Sequence, residues 1–510
     1  MKYVFLLLIF ILSFGANAQH RTKIKLVKAG KLGPGVYKGK KAQKLTKGVI
    51  FKHGDNTMYC DVAYFYNKDN DFDAFGNVRI IDRQGLTIYG DSMHYIGNRA
   101  LAKIRHKVRM IDQDMTLYTD HLDYFTKSKK AMYFNGGKII DEDNTLTSDL
   151  GYYIGKTKTY HFRRNVVLIN PDYTMYSDTL TFRSLISTAF FNGPTVILSD
   201  DNSIYCKQGW YNTDNDRASF NNQALLKNSN QKLWADSLYY DRNLGYGQGF
   251  MNVKLFDSLK NIVVTGNYAE YYEHGGMSYF SGHSQAIIID EDDGDSLFIH
   301  GDTLMLETDT NQEAKTFFVY NHTQFFKSNL QGKCDSLVYY LQDSMLIMYD
   351  RPLIWGGNSQ ISGKKIRVYM ANDEIEKIYI DTNSYVLQHD SLEYYNQVSG
   401  RNMVVHFKEG TMDYVDVFEN SQSIYFVREE DSTLTGVNVG ASSDMRIEFV
   451  PGGVGNIVYL SRVKSSLNPV DKMSKRSLYL RGFKSYLYWR PRIKEEIFIW
   501  EPAKGDREIN

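Results

Sequence analysis

The 510-residue chain has little cysteine: Cys60, Cys206 and Cys334 are its only three, and their spacing fits neither a zinc site nor a redox pair. A disulfide framework is therefore not expected. Its eight prolines mark no Pro-rich linker, so length is a poor guide to domain number here. Beyond the N-terminus no stretch approaches the roughly 20 apolar residues that a membrane-spanning helix needs. HExxH-like spacing, a Gly-rich phosphate loop and a GxSxG elbow are all missing. No nucleophile or metal cluster stands out, and neither cofactor, metal nor nucleic acid is expected.

What is present favours strands. Aromatic residues make up 14% of the chain, 39 of them tyrosine, and short apolar runs alternate with Asn, Asp and Gly. At the N-terminus Lys2 precedes an apolar run from Val4 to Phe14, and Ala16-Asn17-Ala18 has the small-x-small form of a cleavage site. Residues 1–18 read as a signal peptide, with export to the periplasm as the expectation. No cysteine follows the cut to carry a lipid.

The dominant feature is a repeat. CDVAYF, GDSMHY, TDHLDY, SDLGYY, SDTLTF and ADSLYY place aspartates at 61, 91, 120, 149, 178 and 236, with Lys207 in the one gap. These anchors lie 30, 29, 29, 29, 29 and 29 residues apart. Looser copies follow at Asn267, Asp302, Asp335, Lys364 and Arg401. A fixed period means one supersecondary unit stacked many times, because a single unit cannot bury its apolar face alone.

Within the unit, the residue three before the anchor is apolar (Ile88, Leu117, Leu146, Met175, Ile204, Leu233) and the one immediately before it is small. Two and four residues after it come pairs such as Met93 and Tyr95, Leu122 and Tyr124, Leu180 and Phe182, and Leu238 and Tyr240. Strict alternation would put the two sets on opposite faces, so the strand must bend or bulge at the anchor if both face one interior. These fourteen residues are the expected interior. The fold class is all-β, an elongated solenoid-like stack of about twelve repeats of ~29 residues around an apolar interior.

Ala74 to Ile80 with Leu86 to Tyr95, and again Leu117 to Tyr124, carry the pattern A-x-G-N-V-x-I, turn, x-L-x-x-D-x-L-x-Y. This resembles the OstA-like family, the β-jellyroll proteins of lipopolysaccharide transport, over residues 53 to about 405. The resemblance implies an interior that holds lipopolysaccharide acyl chains, at Ile88 to Tyr240 above. It also implies edge-to-edge β pairing with other OstA-like envelope proteins, and peripheral rather than integral association with the outer membrane. The expected layout is a basic arm over 19–52, the repeat domain over 53–405 and a β-rich cap or docking region over 406–510.

Other features have plainer readings. A recurring aspartate is better explained by a recurring corner than by catalysis, and no enzyme is expected. Asp69, Asp71 and Asp73 imitate the start of a calcium loop but lack its Gly and closing Glu, and Glu291-Asp292-Asp293 reads as an acidic turn. Residues 19–52 hold eleven Lys or Arg and no acid, which fits either a solvated disordered arm or one that pairs with phosphates. The functional expectation is a periplasmic lipid-binding bridge in outer-membrane biogenesis. The alternatives are a scaffold rod that binds protein partners without lipid, and a β-solenoid hydrolase.

Overall fold

The computed structural model describes residues 22–501 apart from 114, 142, 290–293, 311–312, 372–373, 392–393, 410, 430–432 and 451–452. The signal peptide and the acidic turn at Glu291–Asp293 lie outside the described residues. Met1–Asp200 and Asp201–Asn510 form two compact units. Each is a run of antiparallel strands, and the all-β stack expected from the repeat is what the chain adopts.

In the first unit, long strands such as Asp71–Ile81, Thr87–Ile96 and Leu101–Asp112 pair in sequence order. The middle strand is bent at its anchor, Asp91, and its two neighbours at bulges opposite it. Against Asp91, the register slips between Phe75 and Val78 on one side and between Arg105 and Val108 on the other. The extra residues Gly76 and Asn77, and His106 and Lys107, adopt left-handed backbone, making a two-residue bulge. Gly76 suits this position, with φ +72° and the place of a Cβ 2.6 Å from Asp61 Oδ2, although His106 takes the same backbone in the next bulge.

The bulge reverses the alternation. Met58 and Cys60 before the anchor and Ala63 and Phe65 after it are all buried, as are Ile88, Gly90, Met93 and Tyr95 in the next repeat. The two halves of each strand thus form two walls of one trough, as the bend argument requires.

The basic segment is not an arm. Lys25–Lys28, Lys31–Tyr37 and Lys40–His53 are strands, and the last pairs with Asn56–Tyr66. Its bulge at Lys47-Gly48 brings Leu45, Val49 and Phe51 into the interior. Lysines occupy the solvent face instead of extending into solvent as a free chain.

The second unit continues the pattern past the expected boundary at 405. Strands Asn402–Lys408, Thr411–Phe418, Ser421–Arg428, Leu434–Ser442 and Asp444–Val450 pair like those before them, and Lys464–Asn468 closes the run. A further corner falls at Ser443, with Met445 and Ile447 buried after it. Only then does the chain change character: residues 470–501 form short 3-10 turns that lie against the same unit as a strap.

The strap is held through its backbone. Gln397 Nε2 donates to Leu478 O (2.8 Å) while its Oε1 accepts from Leu480 N, and Gln360 brackets Lys484 O and Tyr486 N in the same way. Gln324 Nε2 donates to Ile497 O and Ile499 O, and Arg490 Nε donates to Gln331 Oε1. These glutamines belong to the sheet face opposite the trough: in Leu330–Cys334, Gln331 and Lys333 point to the strap while Gly332 and Cys334 point inward. Apolar contacts complete the fit, with Leu478 on Ile424, Phe426 and Val437, and Phe498 stacked on His283 at 3.8 Å.

Candidate functional site: an apolar trough

The anchors are structural corners. Asn77 donates to Asp61 at 2.8 Å, Asn165 to Asp149 at 2.9 Å and Asn252 to Asp236 at 3.0 Å, always from the next strand's bulge. Asp120 instead accepts from the backbone N–H of Lys107. Each carboxylate therefore holds a left-handed turn that would otherwise cost conformational energy. The repetition of aspartate follows from the repetition of the bulge.

The calcium-like run is likewise taken up locally. Asp71 accepts from Gly97 N, while Asp73 accepts from Tyr66 Oη and from His94. Partial burial would raise the Asp73 carboxyl, but the bonds from His94 and Tyr66 outweigh it and hold the group below the usual range. Among the described residues no three His, Cys, Asp or Glu side chains converge as metal ligands would.

The cysteines sit inside the corners as free, buried thiols. Burial pushes the Cys60 thiol up to about 12 and Cys206 to about 11. All three should therefore resist an aqueous disulfide reagent at pH 8 in the folded protein and react after denaturation. A thiol count below three in the denatured monomer, without reductant, would contradict this.

The residues expected inside are buried or half-buried in their own units, and the packing differs between the two units. In the first unit the trough is full. Phe51 stacks on Phe72 at 4.2 Å and Phe72 on Tyr95 at 5.3 Å, and Leu122 and Tyr124 are 0% exposed. Ile88, Met93, Leu117, Leu146, Met175 and Leu180 are buried in the same packing, with Phe182 half-buried.

The rims of this part are also tied together. Asp82 and Asp112 lie beside turns that end one wall, and Lys129 and Lys158 in turns that end the other. Lys129 reaches Asp82 at 3.2 Å and Lys158 reaches Asp112 at 2.8 Å, with Tyr153 also donating to Asp112. Nearer the N-terminus His53, Tyr95 and Thr126 form a third cross-link, at 2.6 and 3.2 Å.

In the second unit the wall formed by Ile204, Leu226, Leu233, Leu255 and Val264 runs straight across paired strands, and each of these residues is only half-buried. Facing it, Leu238 is buried and Tyr240 half-buried; their neighbours are Phe220 and Ala218 on one side but Gly249 and Gly247 on the other. Beyond Phe220 the ring positions of this wall pass to Gly247 and Gly249, and the apolar wall opposite is left partly uncovered. Of the fourteen expected residues, Ile204, Leu233 and Tyr240 are the half-buried ones in this region.

The bent antiparallel strands, the corner bulges and the apolar trough together define a β-jellyroll of stacked repeats. Residues 21–178 match the family described as OstA-like protein, so this part of the chain is OstA-like. The chain is also similar to the crystal structure of LptH, the LptA homologous periplasmic component of the lipopolysaccharide transport device from Pseudomonas aeruginosa. That match has 14% identity over 23% of this chain and 82% of that one, with a TM-score of 0.20. No curated protein matches the sequence. No helix among the described residues is long and apolar enough to cross a membrane.

Proposed function

We propose that the protein is a periplasmic lipid-binding component of outer-membrane biogenesis, with lipopolysaccharide acyl chains as cargo and the second unit's trough as the place that receives them. The half-buried wall from Ile204 to Val264, opposite Gly247 and Gly249, carries this reading. An uncovered apolar surface of this kind gains free energy when an acyl chain removes it from water. The OstA-like character of residues 21–178 supports the cargo class.

The packed first unit favours a second role alongside, a scaffold that meets protein partners. Its first edge, Lys31–Tyr37, carries Pro34 between Gly33 and Gly35, and lysines flank it, features that discourage strand addition. Edge pairing with another OstA-like chain is better suited to the last strands, where Val458, Leu460 and Leu467 are exposed.

A photocrosslinking residue separates the two roles. Placed at Leu233 it should capture lipopolysaccharide from outer-membrane vesicles, whereas at the neighbouring outward position Lys232 it should not. Equal labelling at both positions, or none at either, would leave the scaffold reading in its place.

A further inference from the structure

The strap and the corners beside it enclose a groove of about 1120 Å³ on the second unit. Its floor is made of the corners at Asp335, Lys364 and Arg401, and its wall of Arg481, Lys484, Tyr486, Trp489 and Trp500 from the strap. The floor crosses the strands from Leu330–Cys334 to Ser421–Arg428, so the groove is roughly 24 Å long at ~4.8 Å per strand.

The repeat is broken here in a way that folding does not require. At most corners the anchor is an aspartate, as at Asp61 and Asp149, which cap the next strand's bulge; Lys207, Asn267 and Ser443 are isolated exceptions, but this groove alone brings two successive basic anchors together, Lys364 and Arg401. At Lys364 the turn is held by its backbone N–H on Asp381 O and Thr382 O, which leaves the side chain unused for that purpose. Departures from a local rule without a structural gain tend to mark function.

Lys333, Arg351, Lys364, Arg401, Arg481 and Lys484 face Asp335, Asp350, Glu419 and Glu501 around the groove. Glu419 pairs with Arg401 at 2.9 Å, and no ion pair with a described residue involves Lys364, Arg481 or Lys484. Lys333, only 5% exposed, lies 3.7 Å from the ring centre of Trp500 and 4.8 Å from that of Trp489, and donates to the Trp500 carbonyl. It thereby fixes two half-exposed indoles in a groove also lined by the hydroxyls of Thr382 and Ser399 and the amides of Asn383 and Gln422.

We propose that this groove binds an anionic oligosaccharide. The aromatic faces suit the apolar faces of sugar rings, the amides and hydroxyls suit ring hydroxyls, and the uncommitted cations suit carboxylate or phosphate groups. The assignment stands apart from the trough, on the opposite face of the same strands, and does not depend on lipid binding there.

The test uses the full mature chain and three probes: tetragalacturonic acid, neutral maltotetraose, and phosphatidylcholine vesicles with and without lipid A. Calorimetry and tryptophan fluorescence should show tetragalacturonic acid binding and maltotetraose not. The exposed substitutions Lys364→Gln and Lys484→Gln together should weaken that binding roughly tenfold or more, the loss expected from removing charged hydrogen bonds. Circular dichroism should be unchanged, and the same pair at Lys232 and Lys464 should have no effect. Binding only to lipid A vesicles, and lost in the same double variant, would assign a membrane-borne glycan of the same chemistry as the source. Equal affinity for maltotetraose, binding unaffected by the double substitution, or no binding to any charged probe would overturn the proposal.

Discussion

Replacing Phe72 with Ala should lower the unfolding free energy of the first unit by about 3–5 kcal/mol, the range for removing a fully buried aromatic ring from a core that cannot collapse. Phe72 is 0% exposed and sits between Phe51 and Tyr95, and its strand pairs on both sides, so neither ring can move into the space. Urea denaturation followed by far-ultraviolet circular dichroism would measure it. The matching change at an outward aromatic, Tyr118→Ala, should cost under about 1 kcal/mol. Similar losses for both would mean that the first unit's trough is not the packed core described here.

Ending the chain at Asn468 should have the second large effect. Without the strap, Ile424, Phe426 and Val437 lose Leu478. Trp355, fully buried and paired across strands with Gln331 and Gln360, would face water on the same side. At about 1.5–3 kcal/mol for each large apolar side chain returned to water, the second unit should lose at least about 3 kcal/mol. The strands should remain, since their ladder does not involve residues after 468. The truncated protein should therefore keep its circular dichroism, bind a hydrophobic dye and unfold at lower urea. An unchanged midpoint would show that the strap is not integral to the fold.

Much of this architecture was legible in the primary structure because a repeat amplifies a weak signal. A single apolar residue three positions before an aspartate means little, but Met58, Ile88, Leu117, Leu146 and Met175 in register mean one wall, and all are buried. The change of phase between Ile88 and Met93 by itself requires a bulge at Asp91. The strands in 25–53 were harder to see, because lysines on the solvent face masked the inward run of Leu45, Val49 and Phe51. The corner at Ser443 escaped because it lies 42 residues beyond Arg401 and lacks the aspartate.

The period, the phase and hence which side chains face inward follow from the order of residues alone, since these depend only on alternation along a strand and the packing of like unit on like unit. Whether the interior of each unit is full or open follows only from which walls meet in the folded chain. Packing is a property of facing walls: Phe72 fills space because Phe51 and Tyr95 lie beside it, and Leu233 stays half-covered where glycines stand across the strands from its facing wall. The strap was beyond sequence reasoning for the same reason. Gln324, Gln331, Gln360 and Gln397 carry no apolar signal, and their role follows only from a segment more than 80 residues away lying over them, with its backbone groups in reach.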